Sequence, residues 1–194
     1  MPYEPPPELA ALSLGQLAEA VAARNLPPVD QWTPQSTGDS LMRIAADGTW
    51  FHDGGVISRA AMVRAFSALL LRDAAGQHHL VTPFERLSIA VDDAAFLATD
   101  MQLRHDAAGR AVLAFRLNTD DVVLAGPEHP LRIAGTADLP AFYLAVRHGT
   151  EARLNRSTYA QLIDHALTLS EPEDLWVESA GVRFSLRPDA KAPA

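Results

Sequence analysis

Apolar and polar residues alternate along several short stretches of the chain, and a period of two is typical of β-strands with one buried face. Leu87, Ile89 and Val91, for example, fall on one side of a predicted strand. Two longer stretches, 99–105 and 110–118, are separated by a glycine-containing turn, which predicts a long hairpin. Further strands are expected at 41–45, 49–52, 78–82, 142–148, 175–179 and 181–187.

Apolar residues recur at intervals of three and four in three further segments, which predicts amphipathic helices. The first helix opens at Ser13, whose spacing from Gln16 fits a capping box, and an irregular wrap follows it. Ser58 and Asn155 are the predicted N-caps of the second and third helices. The apolar stripes are Leu14, Leu17, Ala18 and Val21; Met62, Val63, Phe66, Leu69 and Leu70; and Tyr159, Leu162, Ile163, Ala166 and Leu167.

The second and third helices belong to similar runs of elements, in which a strand precedes a capped helix and a two-stranded hairpin follows it. The stretch Ile57–Arg59 resembles Leu154–Arg156. One such unit cannot bury both its sheet and its helix stripe, so two should pack together. We predict an α+β fold of two related αββ-containing halves from internal duplication. The alternative is that any two αββ modules would show this degree of similarity by chance. The expected parts are 1–40 (helix and wrap), 41–93 (first half) and 94–190 (second half).

Composition narrows the classes of function. A net charge of −8 argues against general nucleic-acid binding, which rests on a basic surface. The absence of cysteine from the sequence excludes disulfides, thiolate metal sites and a cysteine nucleophile. No apolar run reaches 18 residues, and the amino terminus has no basic segment followed by an apolar one. We therefore expect a cytoplasmic protein that does not insert into membranes.

No complete catalytic or cofactor motif is present in the sequence. GxSxG, HExxH, GxGxxG after a strand and the P-loop pattern are all missing. His78 and His79 are adjacent in a predicted strand, so their rings point to opposite faces and cannot share one ion. We expect no metal and no cofactor. Enzymatic activity stays uncertain, with a hydrolase using His129 as general base as the minor alternative.

The segment from residue 116 to 132 combines several polar side chains with turn-forming prolines. Arg116, Asn118, Asp120, His129 and Arg132 fall within what looks like one hairpin-like excursion. Guanidinium and imidazole groups together suit a phosphate or a carboxylate. The alternative is that Asn118 and Asp120 only form turns, while Arg116 lies along the sheet.

Arg59 and Arg156 stand at the first turns of two predicted helices, where a cation opposes the helix dipole at a cost of about 0.3–1 kcal/mol. A bound anion near the helix amino terminus would offset that cost. A carboxylate partner across the interface between the halves would do the same, so both explanations stay open.

Six motifs together resemble a bacterial family known only as domain of unknown function number twelve eighty-five. They are LPPVDQW, GDSLMRIAADGTWFHDG, ISRAAMVRAFSALL, HHLVTPFERLSIAVDDAAF, NTDDVVLAGPEHPLR and YLAVR. The resemblance covers about residues 10–187. It implies a duplicated α+β core, whose second half is a curved antiparallel sheet or partial barrel superficially like a pleckstrin-homology domain.

The same resemblance implies a ligand site between the halves, a nucleotide-like ligand and a role in signalling. It establishes no catalytic residues. The matching polar positions are Trp50, Arg59, Thr82, Asn118, Asp120, His129, Arg132 and Arg147.

Two classes of function follow. In the first, a non-catalytic module binds an anionic, nucleotide-like small molecule: arginines hold the charge, Trp50 stacks on a base, and Asn118 with Asp120 contacts ring or ribose donors. In the second, a protein-interaction domain receives a partner peptide at an exposed sheet edge.

Overall fold

A computed structural model describes residues 26–136, 139–170 and 174–187, together with Ser13, Gly15, Gln16 and Glu19. The strands are β1 (Ser36–Ile44), β2 (Trp50–His52), β3 (Gly55–Val56), β4 (Leu70–Arg72), β5 (His78–Val81), β6 (Glu85–Val91), β7 (Phe96–His105), β8 (Ala111–Leu117), β9 (Val122–Leu124), β10 (Leu131–Gly135), β11 (Pro140–Ala145), β12 (Glu151–Leu154), β13 (Trp176–Ser179) and β14 (Val182–Ser185). The helices are α1 (Ala60–Ser67) and α2 (Arg156–Ala166).

The predicted amino-terminal helix lies largely outside the described residues. Its capping box is present: Ser13 N donates to Gln16 Oε1 at 2.9 Å, and Gln16 N donates to Ser13 Oγ at 3.3 Å. No helix in the described part of the chain is long and apolar enough to cross a membrane.

Two open six-stranded sheets share one strand order. The first sheet runs β3-β2-β1-β6-β5-β4 and the second runs β10-β11-β12-β7-β8-β9. In each, two antiparallel three-stranded meanders meet at one parallel pair, β1 with β6 or β12 with β7. This shared topology confirms an α+β fold of two related halves. The second sheet is not wholly antiparallel as expected, because β12 and β7 are parallel.

The helices occupy different places in the two halves. In the first half α1 follows the third strand, whereas in the second half α2 follows the sixth. After α1 the chain continues into the first sheet, but after α2 it forms the separate hairpin β13–β14. The duplication therefore resides in the sheets. The predicted pairing of Ile57–Arg59 with Leu154–Arg156 matches the end of the third strand of the first sheet with the end of the sixth strand of the second.

The ends of α1 also differ from the prediction. Leu70 was expected on the helix stripe, but it lies in β4, where it is fully buried and pairs with Leu80. The run of apolar residues around it suits a helix or a buried strand equally well. The N-cap is Arg59 instead of Ser58, and no side chain caps this helix. The predicted cap of α2 is confirmed, because Asn155 Oδ1 accepts from Thr158 N at 2.8 Å.

One continuous core joins the halves. Ile44, Trp50 and Leu70 from the first half are buried in the same cluster as Phe115 and Leu144 from the second. Apolar surface removed from water in this way stabilises by about 25 cal/mol per Å². The core thus fixes the relative placement of the two sheets, and with it the geometry of their seam.

Candidate functional site

The seam between the halves is held by polar contacts as well as by the core. Arg64 Nη1 in α1 donates to the carbonyl of Thr119 at 3.2 Å. The tip of the β1–β2 hairpin also presses on the second half. Gly48 has a φ of 81°, and a Cβ there would lie 2.7 Å from Asn118 Nδ2, so only glycine fits without displacing that amide.

A crevice of about 250 Å³ opens at this seam, and we call it the seam crevice. One wall is the hairpin from Gly48 to Trp50. A second wall is formed by Ile57 and Ser58, which precede α1, and by Arg64 within α1. The second half contributes Asn118, Thr119 and Asp120 from the turn between β8 and β9. Segments far apart in the sequence therefore converge on one concave surface.

Several hydrogen-bond donors contribute to the lining of the seam crevice. Asn118 Oδ1 accepts from Leu97 N at 3.0 Å, which fixes the amide and leaves its Nδ2 as the available end. Trp50 Nε1 is buried and has no hydrogen-bond partner among the described residues. The first turn of α1 has no acidic residue, so its backbone N–H groups and the helix dipole add positive potential.

Asp120 is the acidic residue of this lining. It has a left-handed backbone with a φ of 63°, which its turn requires. Burial raises the pKa of its carboxyl group. Arg116 Nη1 lies 3.7 Å from Asp120 Oδ1, so their attraction is that of an ion pair without a short hydrogen bond.

Behind the seam crevice lies a buried ion pair, the seam clasp, formed by Arg147 and Asp121. Arg147 Nη1 lies 3.1 Å from Asp121 Oδ2, and the two side chains are 12% and 5% exposed. Arg147 Nη2 donates to the carbonyl of Ser67 at the end of α1, at 3.1 Å. Burial, and to a smaller extent the charge of Arg64, lowers the pKa of Arg147 to about 10, so it stays protonated at neutral pH.

The structure brings three of the predicted site residues together at the seam crevice: Trp50, Asn118 and Asp120. Arg147 supports the same seam from behind. Trp50 is only 1% exposed and stacks on Phe66 with ring centroids 6.5 Å apart. Its ring faces are therefore covered, and base stacking on this indole has no open surface in the structure.

The other predicted residues lie elsewhere. Arg59 is exposed on a shallow depression next to the seam crevice. Thr82 caps the β5–β6 turn, where its Oγ1 accepts from Glu85 N at 3.1 Å. His129 Nδ1 lies 3.1 Å from the carbonyl oxygen of Ala145.

Arg132 is held by a carboxylate on its own sheet. Its Nε and Nη2 donate to the two carboxylate oxygens of Glu151 at 2.7 and 2.9 Å. Its guanidinium lies 4.4 Å from the ring centroid of Tyr143. The predicted hairpin-like excursion does not form, because β9 and β10 lie at opposite edges of the second sheet. Asn118, which bonds to Leu97 of β7, thus lies about three strand positions away from Arg132 in β10.

A larger crevice of about 610 Å³ lies on the other side of the hairpin tip. Phe142, Tyr159 and Arg156 line it, together with Arg153, which pairs with Asp93 at 2.7 Å. Within the described residues neither Arg59 nor Arg156 forms an ion pair with a carboxylate, so the expected bridge across the interface is not observed there.

Sequence reasoning missed Arg64 and Asp121 as seam residues. Arg64 is an ordinary cation in the middle of a helix, and Asp121 belongs to an Asn-Thr-Asp-Asp turn. Neither carries a local signal of its role, since both roles depend on contacts between distant segments. No group of three histidine or acidic side chains is placed to hold a metal ion in the described part of the chain.

Two related open sheets with a donor-lined crevice at their seam define an α+β protein built from duplicated halves. Family models match both halves of the chain. The model described as the N-terminal domain of a domain of unknown function, DUF1285, matches residues 27–94, and the C-terminal domain model matches residues 95–186. The chain belongs to the DUF1285 family.

Two solved structures are similar to this chain. A DUF1285 family protein from Silicibacter pomeroyi DSS-3 is 38% identical with a TM-score of 0.76, and the match covers 91% of this chain and 96% of that one. A DUF1285 family protein from Shewanella baltica OS155 is 22% identical with a TM-score of 0.52, over 64% of this chain and 91% of that one, and shows the fold alone. A search of curated proteins finds no match.

Proposed function

We propose that this protein is a non-catalytic binding module that takes an anionic small molecule into the seam crevice, with a nucleotide-like ligand as the first class to test. The observation that carries the proposal is the convergence of donors from both halves: Asn118 from the second half, and Arg64 and the start of α1 from the first. Charge-assisted hydrogen bonds of this kind are about twice as strong as neutral ones.

The size of the seam crevice limits what it takes. Pockets for whole drug-sized ligands measure about 300–1,000 Å³, so a crevice of about 250 Å³ suits one anionic group. In this proposal a phosphate or carboxylate enters the crevice and the remainder of the ligand extends over its mouth. Trp50 is buried, so in this proposal its indole does not stack on a base.

A regulatory role in signalling is part of the same proposal, because a ligand in the seam crevice would contact both halves. A molecule that contacts α1 and the β8–β9 turn at once binds best when the halves hold their present arrangement. Occupancy would then stabilise that arrangement against any other. The superficial likeness of the second half to a pleckstrin-homology domain remains part of this proposal.

The test measures the melting temperature with a panel of nucleotides, inorganic phosphate and small carboxylates. A ligand at 100 times its Kd adds about 2.7 kcal/mol, which raises the melting temperature of a chain of this size by about 5–10 °C. Arg64→Gln and Asn118→Ala should abolish the shift, each measured against the melting temperature of its own ligand-free variant.

Arg156→Gln is the matched control, because this exposed arginine lines the larger crevice instead. It should leave the shift intact. Loss of the shift in Arg156→Gln with retention in Arg64→Gln would move the ligand to the larger crevice. No shift with any compound would reject the proposal.

A protein-interaction role is the second candidate, favoured by β10. This strand lies at a sheet edge and is five residues long, longer than the other edge strands β3, β4 and β9. An extended peptide could add to it. Proline placed at Ile133 and, separately, at Ala134 tests this, because N–H groups of successive residues point to opposite sides. One of the two prolines removes an N–H that points away from the sheet, where a peptide would bind. Loss of partner binding in that variant alone supports the role, whereas retained binding in both variants excludes it.

A further inference from the structure

Asp120 places a negative charge in the lining of the seam crevice, beside the groups that would bind an anion. A site for a plain anion gains nothing from this carboxylate, because like charges repel each other. The lining has the donors of Arg64 and Asn118 as well as the acceptor of Asp120, so it suits a ligand that carries both signs of charge. The mixed charge of the lining therefore narrows the chemical class of the ligand.

The acceptor and the donors lie close together in the structure. Arg64 Nη1 donates to the carbonyl of Thr119 at 3.2 Å, and this carbonyl belongs to the peptide group that leads into Asp120. Asn118 precedes Asp120 in the same β8–β9 turn, which the bond from Asp120 N to the carbonyl of Leu117 closes at 2.9 Å. The guanidinium, the amide and the carboxylate are thus grouped around a single turn of the chain.

The carboxylate of Asp120 also differs from its neighbours in its hydrogen bonding. Thr119 Oγ1 donates to Asp121 Oδ2 at 3.0 Å, and Asp121 pairs with Arg147 as well. Within the described ranges no hydrogen bond ends on the Asp120 carboxylate, whose paired cation, Arg116, lies 3.7 Å away. Burial raises the pKa of this carboxyl group in spite of Arg116, so the loss of water around it is not fully offset. A donor supplied by a ligand would offset it.

We propose that the seam crevice binds an α-amino acid, with the carboxylate at Arg64 and Asn118 and the ammonium group at Asp120. The two charged groups of an α-amino acid are attached to the same carbon atom, so the groups that bind them must also lie close together. A crevice of about 250 Å³ admits this charged end, while the side chain of the amino acid extends over its mouth. The inference rests on the proposed function, because it narrows an anionic small molecule to a zwitterionic one.

Matched pairs of compounds test this class of ligand. The melting temperature of the full chain is measured with the common α-amino acids. Each one that raises it is then compared by calorimetry with the acid that lacks only the amino group, such as propionate for L-alanine or glutarate for L-glutamate. The amino acid should bind about tenfold more tightly or better, because a hydrogen bond between charged groups contributes at least the free energy of a tenfold change in Kd.

Asp120→Asn shows whether this carboxylate causes the preference. Asparagine tolerates the left-handed φ of 63° at this position, so the turn is retained while the charge is removed. In this variant the amino acid and its analogue should bind about equally. Asp53→Asn is the matched control, because Asp53 is also a left-handed aspartate, with a φ of 47°, but is exposed and does not line the seam crevice. It should keep the full preference for the amino acid.

The outcomes separate this inference from the proposed function. An analogue without the amino group that binds as tightly as its amino acid would overturn the inference and leave the proposed function intact. Retention of the preference in Asp120→Asn would do the same, and so would a response to phosphate or nucleotides alone. If no compound of any class binds, the inference and the proposed function fail together.

Discussion

Removal of the charge at Arg147 should show how much the polar contacts at the seam contribute to the stability of the protein. Arg147→Met keeps most of the side-chain volume but removes the guanidinium that lies 3.1 Å from the carboxylate of Asp121, which is 5% exposed. Breaking a buried ion pair by deleting one partner costs about 3–5 kcal/mol. The same change removes the bond to the Ser67 carbonyl and the contact with Phe96, where the guanidinium lies 4.8 Å from the ring centroid.

The expected loss is large enough to measure by two methods. About 3–5 kcal/mol lowers the melting temperature of a chain of this size by about 6–20 °C. Urea unfolding followed by tryptophan fluorescence gives the free energy independently. Arg183→Met is the control, since Arg183 pairs with Asp174 at 3.3 Å on the surface and should cost less than about 1 kcal/mol.

A double variant tests the cause of that loss. If the penalty comes from an unpaired buried charge, Arg147→Met with Asp121→Asn should be more stable than Arg147→Met alone. A single variant that loses under about 1 kcal/mol would refute the reasoning. Strict additivity of the two single losses would refute it as well, because it would mean that the two charges do not interact.

Three further predictions concern single positions. Asn155→Ala should cost about 1 kcal/mol in urea unfolding because it removes the cap of α2, whereas Ser58→Ala, which makes no cap bond, should cost less than half as much. Gly149→Ala should destabilise by more than about 1 kcal/mol, since its φ is 76° and a Cβ would lie 2.6 Å from a carbonyl oxygen of β4. The hydrogen bond from His79 lowers the pKa of Asp73. The stability that the Asp73 carboxylate contributes is therefore fully present above pH 3.8 and is lost as the pH falls through its lower folded-state pKa. Asp73→Asn should lose less stability on acidification, measured as the free energy of unfolding at stepped pH.

Local pattern was sufficient for elements whose partners are near in sequence. The β7–β8 hairpin follows from alternation on either side of the turn at residues 106–109, and the α2 cap follows from Asn155 before an apolar stripe. The paired residues are at most 19 apart in the sequence for the hairpin, as in Ala98 with Leu117, and three apart for the cap. The repeated runs of elements and the resemblance to a known family both pointed to the duplication. The ligand site between the halves was implied by the resemblance and stays a prediction.

Long-range pairing was beyond the reach of the same pattern. β9 and β10 are neighbours along the chain but lie at opposite edges of a sheet, because β11 and β12 lie between β10 and β7 while β8 lies between β7 and β9. Arg132 was therefore grouped with Asn118 by sequence distance alone. The seam contacts of Arg64 and Asp121 were invisible for the same reason, since each depends on where a distant segment passes.

The parallel pair in the middle of each sheet sets an order of events during synthesis. Ser40 donates to the carbonyl of Ser88 across the β1–β6 pair, and 48 residues separate them. Because β1 cannot complete its pairing until β6 has left the ribosome, the first half stays open while most of it is already exposed. A nascent chain stalled before residue 85 would therefore present the unpaired side of β1 to chaperones. Release of β6 from the ribosome would then complete the first sheet in one step.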